Sequence, residues 1–443
     1  MSLSNLGGGA EQKALAVAGN LAEDRSQTAP VRTRAFRVVF FNRSYYPDFG
    51  ATGQLLTELC EDLVSRFHYD VTVVAGMPLA AEVPVAPLRC YAPVRHEERN
   101  GVRILRSWGT ALPMRTIRGR IANYLSYFLS ASLAAFRIGR PDVIVSLTDP
   151  PIVALIAIAA ARASGARFVF LSQDVFPEVT RLLENFQSGT IDGLLARVGR
   201  FTVKHADRIV ALGDTMKRRL METKRAEPER IRVIHNWADT EAIRPGSKDN
   251  AFARAHGLVD KFVVMHSGNV GLSQDVDGLL DAAERLRDLP DLVIAIVGEG
   301  ARKRTLQEAA QRRGLTNVRF FSYQPKSELN NSFATADIFI VSLKRGLAGF
   351  IVPSKLYSIL AAGRPFIAAV EPDCEVAEIA RAHDCGIVVE PGDRDGMAEA
   401  IRRLHADQVS RARLASHARA ASVMYNRRRA VDAYHELFED LSE

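Results

Sequence analysis

Short β-branched and aromatic runs alternate with stretches of helical periodicity along most of the chain. In the first half, Phe36–Phe41, Val71–Val74, Val143–Leu147, Phe168–Ser172 and Arg208–Leu212 read as strands. In the second half, Phe262–His266, Leu292–Val297, Val318–Phe321, Ile338–Ser342 and Gly386–Val389 do the same. Apolar residues recur at helical spacing between them, as in Gln54–Phe67 and Val276–Leu289. Continuously apolar strands separated by helices predict an α/β chain with parallel sheets covered on both faces. The two halves start alike. Phe36–Phe41 leads into a loop holding Gly50 and Gly53, and Phe262–His266 leads into Gly268 and Gly271. Asn236–Val259, with Pro245, Gly246 and a charged run, reads as a linker and places a boundary near residue 240. Two doubly wound domains, 34–240 and 241–443, would bring their ligand loops to a shared cleft. The helical C-terminal stretch, Arg411 to Leu441, suits packing on either domain.

A length of 443 residues fits two domains. The formal charge of +7 suits phosphates or a lipid surface, and no nucleic-acid partner is expected. Cys60, Cys90, Cys374 and Cys385 form no CxxC pair, which fits a reducing compartment without a zinc site. Residues 1–33 are small, polar and charged, lack the apolar stretch of a signal peptide, and read as a flexible tail. Ile121–Phe136 is short for a membrane span and carries Asn123, Ser126 and Ser130, so a buried helix is expected. Seven arginines between Arg95 and Arg120 face only Glu97 and Glu98, and Tyr124, Tyr127 and Phe128 follow. Basic residues beside aromatics suit an anionic lipid surface as well as an ordinary solvated face. The expected place is the cytoplasm, peripheral on the inner face of the cell membrane.

Several segments carry chemistry at predicted strand ends. Ser267-Gly268-Asn269-Val270-Gly271 lets backbone amides approach a phosphate, although such a GxxG also makes a plain tight turn. Gly298-Glu299-Gly300, followed by Arg302, Lys303 and Arg304, clears similar room. In Val352–Tyr357, Pro353 suits a helix start and Ser354 a cap. Lys355 in the first turn opposes the helix dipole unless an anion lies near. Ser172–Glu178 puts Asp174 and Glu178 after a strand, where carboxylates serve acid–base or hydroxyl-orienting work or simply start a helix. Asp149 is a weaker candidate of the same kind. Asp275-Val276-Asp277 spells the DxD of metal-dependent transferases but opens a helix, where carboxylates are favoured anyway. The histidines and carboxylates form no convincing metal cluster, so neither metal nor cofactor is expected.

Taken in order, Tyr45–Gly53, Ser172–Glu178, His235–Asp239, His266–Gly271, Gly298–Gly300 and Pro353–Tyr357 resemble glycosyltransferase family 4, in its bacterial surface-polysaccharide branch. The resemblance spans about Val38 to Asp393 and implies a GT-B fold of two Rossmann-like domains. It also implies retention of anomeric configuration, a nucleotide-sugar donor, no required divalent metal, and a glycan or polyprenyl-diphosphate-linked acceptor. Carried over residue by residue, donor contacts fall on Gly268, Asn269, Gly271, Gln274, Gly298, Glu299, Tyr323, Gln324, Pro353, Ser354 and Lys355. Acceptor contacts fall on Gly50, Gly53, Asp174 and Glu178, and the catalytic roles on Asp174 and Lys355. Two glutamates common in the family fall on Phe350 and Ser358, and its basic pair in the first donor loop on Asn269 and Gln274. Lys355 is then left to hold the diphosphate, with Lys344 or Arg345 beside it. A nucleotide-sugar epimerase of the same fold and a binding protein without catalysis are the alternative readings.

Overall fold

The computed structural model describes residues 34–48, 50–78, 91–112, 116–183 and 189–442; the expected N-terminal tail lies outside them. The described strands are β1 (Arg37–Phe41), β2 (Asp70–Ala75), β3 (Val94–Arg99), β4 (Val102–Ser107), β5 (Val143–Ser146), β6 (Arg167–Ser172), β7 (Arg208–Ala211), β8 (Ile231–Val233), β9 (Phe262–Ser267), β10 (Leu292–Val297), β11 (Val318–Phe321), β12 (Ile338–Ser342), β13 (Phe366–Ala369) and β14 (Gly386–Val389). One sheet has the order β3-β4-β2-β1-β5-β6-β7-β8, the other β11-β10-β9-β12-β13-β14. All neighbours are parallel except β3 and β4. Parallel strands need apolar side chains on both faces, and Val38 to Phe41 and Val263 to Met265 are accordingly buried. In each sheet the strand order reverses beside the first strand, between β1 and β5 and between β9 and β12. Ligands bind at the carboxyl ends of such a pair.

The helical C-terminal stretch is two helices, Gln408–Ser422 and Arg427–Asp440, broken by a 3₁₀ turn at Val423–Tyr425. The last helix lies on the first lobe: Arg427 pairs with Asp62 at 2.6 Å, and the Phe438 ring stands 6.4 Å from that of Phe40.

The basic stretch after Arg95 is not the solvated patch its composition suggests. Its first part folds as the β3–β4 hairpin, and the four arginines there are paired: Arg95 and Arg106 with Glu97, Arg99 with Glu61, Arg103 with Asp70. Arg106 is fully buried, and so is Tyr127, whose hydroxyl donates to the Val74 carbonyl at 2.9 Å.

The following helix, Ile117–Ala135, is likewise not buried all round. Its polar residues face inward: Asn123 Oδ1 accepts from Thr110 Oγ1 and the Leu112 amide, and Ser130 Oγ donates to the Trp108 carbonyl. Its leucines face out, with Leu125 50%, Leu129 67% and Leu133 49% exposed. Fixing the loop at 108–112 uses the polar face, so the apolar face is left to the surface.

Candidate active site

The two glycine loops of the second lobe interlock. Gly298 has φ +143°, and a Cβ there would stand 1.9 Å from the Gly268 carbonyl oxygen, so only glycine fits. The amides expected to cradle a phosphate are used in this packing. Gly268 N donates to Val297 O at 2.9 Å, Val270 N to Glu299 O at 2.8 Å, and Gly271 N to Gln274 Oε1 at 3.2 Å. The glycines are therefore required by loop against loop, and an anion here meets side chains more than free amides. Glu299 itself pairs with Lys303 at 2.7 Å.

Lys355 is the basic side chain that lies along this loop. It opens the helix Lys355–Ala361, and Ser354, at the N-cap position, makes no side-chain cap. The lysine lies along the first glycine loop, its Nζ 3.7 Å from where a Cβ on Gly268 would be. That Nζ stands 3.1 Å from His266 Nε2, at the end of β9. Burial lowers the Lys355 ammonium to about 7. Burial, and then the nearby lysine, hold His266 well below the usual imidazole range, so it is neutral. Lys344 N donates to Ser273 O at 2.9 Å, and Arg345 pairs with Glu390 at 3.3 Å. Neither Lys303 nor Arg345 is thus a spare cation beside Lys355.

From the first lobe, Asp174 reaches the same loop region. It forms an isolated backbone bridge with Ile351, and Val175 N donates to Phe350 O at 3.0 Å. Burial, then the charge of Asp149, raise the Asp174 carboxyl to about 7. Asp149 is held by Arg43 at 2.8 Å. These acids follow β5 and β6, so they sit at strand carboxyl ends, where substrates bind.

Other expected contacts have different occupations. Both Glu178 carboxylate oxygens take the buried Lys224 ammonium, at 2.7 and 2.9 Å, so this acid serves the lobe's interior and is not an open acceptor contact. Gly53 is packed, with Ser44 Oγ 3.1 Å from a Cβ position, whereas a Cβ at Gly50 meets nothing within 4 Å. Gln54 Nε2 donates to Tyr323 Oη at 3.4 Å across the lobes, and Gln324 Nε2 to the Ser322 carbonyl at 3.0 Å. Pro353 is buried and Asn269 exposed. Asp275 and Asp277 are bound by Arg394 and Arg302, at 2.8 and 2.6 Å. Among the described residues, no group of three or more His, Cys, Asp or Glu converges as a metal-ligand set.

Two side chains near these loops were given no role from the sequence. His266 stood there as a strand end and as the first residue of the His266–Gly271 segment, with no role of its own. Glu375 opens the helix after β13 and reaches the first lobe, with Thr215 Oγ1 at 3.4 Å and His235 Nδ1 at 3.3 Å. Its carboxyl is raised to about 7, by burial first and then by Glu378. Reading Phe366–Ala369 as a strand would have marked the residues after it as part of the cleft.

Comparison with known proteins fits this geometry. Residues 50–237 match the family described as glycosyl transferase 4-like domain, and residues 248–421 that described as glycosyl transferases group 1. The chain is 26% identical over 379 residues to the putative colanic acid biosynthesis glycosyl transferase WcaI of Escherichia coli K12, covering 83% of this chain and 91% of that protein. It is 29% identical over 286 residues to the probable glycosyltransferase WbjE of Pseudomonas aeruginosa, covering 64% and 71%. The crystal structure of Anabaena HepE in complex with UDP aligns with a TM-score of 0.69 at 15% identity, over 91% of this chain and 100% of that one. The fold is GT-B, and with both lobes matched the protein is a glycosyltransferase. It belongs to glycosyltransferase family 4.

Proposed function

We propose that the protein is a retaining enzyme moving a hexosyl or N-acetylhexosaminyl unit from a nucleoside-diphosphate sugar. The acceptor is a glycan or a polyprenyl-diphosphate-linked glycan of bacterial surface polysaccharide. The observation that carries this is Lys355: a desolvated cation at the carboxyl ends of β9 and β12, bonded to a neutral imidazole. As the bond from the anomeric carbon to the diphosphate oxygen breaks, charge develops on the leaving group, and the Lys355 ammonium meets it. Asp174 accepts a hydrogen bond from the attacking hydroxyl and aims it at the anomeric carbon. The hydroxyl proton passes to the departing phosphate oxygen on the same face, which gives retention. The named residues carry these steps without a metal ion or cofactor. UDP in HepE supports a nucleotide donor, and the colanic acid assignment of WcaI supports the polysaccharide context.

The outward leucines of Ile117–Ala135 extend the proposal to a lipid surface. This helix holds no acidic residue, carries Arg118 and Arg120 in its first turns, and is followed by Arg137 and Arg140. An apolar stripe with basic ends suits an anionic bilayer interface. Among the described residues no helix is long and apolar enough to cross a membrane. Incubation with isotope-labelled nucleotide sugars and extracted lipid-linked glycans tests the function. A product whose anomeric proton keeps the donor's configuration by NMR supports it. An inverted product, or an epimerised donor with its nucleotide still attached, counts against it.

A further inference from the structure

We infer that His266 is a positioning residue for the leaving-group cation: its neutral ring holds the Lys355 ammonium in place without cancelling its charge. This rests on Lys355 being the diphosphate clamp. Lys224, a buried lysine of the first lobe, shows what the alternative looks like. It is held by both oxygens of Glu178, a pairing that fixes it and neutralises it. For a structural lysine that is the cheaper arrangement, because a buried charge is best met by an opposite one. Among the described residues no carboxylate forms an ion pair with Lys355. Its partner, His266 Nε2 at 3.1 Å, offers one lone pair and no charge. An ammonium has three donors, so one engaged by the imidazole leaves two for phosphate oxygens.

The surroundings of His266 agree with a functional assignment. The side chain is fully buried at the end of a core strand, where an aliphatic residue would serve packing better. Its Nδ1 has no hydrogen-bond partner among the described residues. When Lys355 is an ammonium, Nε2 must accept, so the ring proton sits on Nδ1 and goes unsatisfied. An unsatisfied buried donor costs about 1–3 kcal/mol, and such orphans in native proteins call for a reason. The other tautomer would put Nε2–H on the Asn269 carbonyl at 3.4 Å and would suit only an unprotonated lysine. In either tautomer Nδ1 has no partner among the described residues; with the charged lysine, the state that binds a diphosphate, what is left over is the donor.

The test compares His266→Gln, His266→Asp and His266→Leu with Lys355→Ala and the wild-type chain. Affinities for UDP, GDP and dTDP are measured by calorimetry, with melting temperatures as the folding control. Glutamine keeps a neutral acceptor and should bind within about threefold of wild type. Aspartate holds the ammonium but cancels it, and leucine holds nothing. Both should lose about tenfold or more, the scale of a charge-assisted hydrogen bond. A side chain that merely filled space would not rank Gln above Asp, and that pair decides the matter even where the leucine variant does not fold. Asp binding as well as Gln, while Lys355→Ala still loses affinity, overturns the inference and leaves the clamp standing. Lys355→Ala binding like wild type, or no nucleoside diphosphate binding to the wild-type chain, overturns the clamp itself.

Discussion

Asp174 and Ile351 pair backbone to backbone across the two lobes, which joins the segment carrying this acid to the loop leading to Lys355. The Asp174 carboxyl is raised to about 7, by burial first and by Asp149 second. It must be a carboxylate to accept a hydrogen bond from the attacking hydroxyl, so transfer should rise with pH through about 7 and fall below it. Asp149→Asn removes the like charge, lowers the Asp174 pKa, and should move this acid limb to lower pH. Asp174→Asn should slow transfer by roughly 100-fold or more while leaving nucleotide affinity unchanged. Initial rates across pH at saturating donor check both; an unmoved limb in Asp149→Asn would assign it to another group.

In its proposed role, Lys355 trades stability for chemistry. Its ammonium falls from 10.5 to about 7 on folding, because burial disfavours the charge. A depressed pKa contributes stability above the unfolded value, and that contribution is lost as pH falls through the folded one. Lys355→Met should therefore melt higher than wild type at pH 6, with the difference vanishing near pH 10.5. Turnover should fall about 100- to 1,000-fold. Lys355→Arg should recover only part, since a planar fork replaces a point charge. Calorimetric melting and kcat/KM on the same samples test the pair of effects.

Nucleotide binding should take up a proton. The diphosphate selects the ammonium form of a lysine that titrates at about 7 when free. Affinity for UDP or GDP should thus weaken as pH rises above about 7, and binding at pH 8 should draw a proton from the buffer. Titration calorimetry in two buffers of different ionisation enthalpy reads that proton directly. Lys355→Met should show none.

Much of the scaffold was legible because a buried parallel strand is apolar on both faces and announces itself: β9, β10 and β12 stand where the apolar runs put them. Strands that depart from that pattern were not. The hairpin β3–β4 carries a run of charged residues in β3 and two arginines in β4, and it reads as a basic patch until Glu61 and Asp70, distant in sequence, are seen to pair with it. β13, with two alanines in four residues, carries little signal, and Glu375 beyond it was missed for that reason. At the site, Asp174 stood out by its place after a strand and Lys355 as a cation in the first turn of a helix. The burial of His266, the capture of Glu178 by Lys224, and the loss of the Gly268 and Val270 amides to loop packing are tertiary facts with no local signature.

The outward stripe of Ile117–Ala135 predicts a lipid dependence. Wild-type protein should sediment with anionic vesicles more than with neutral ones, and salt should weaken the binding. Leu125→Glu combined with Leu129→Glu should abolish it with little change in melting temperature, since both side chains are half or more exposed. Unchanged sedimentation of that double variant would place the contact elsewhere.

In the proposed reaction, Lys355 stabilises the departing nucleoside diphosphate. The direct measurement is release of nucleoside diphosphate from a panel of nucleotide sugars, with and without lipid-linked glycan, by the wild-type chain and by Lys355→Ala at equal concentration. The expected result is release from at least one donor, accelerated by acceptor, and about 100- to 1,000-fold slower in the variant. Equal release by both proteins, or donor consumed with no nucleoside diphosphate formed, would contradict it.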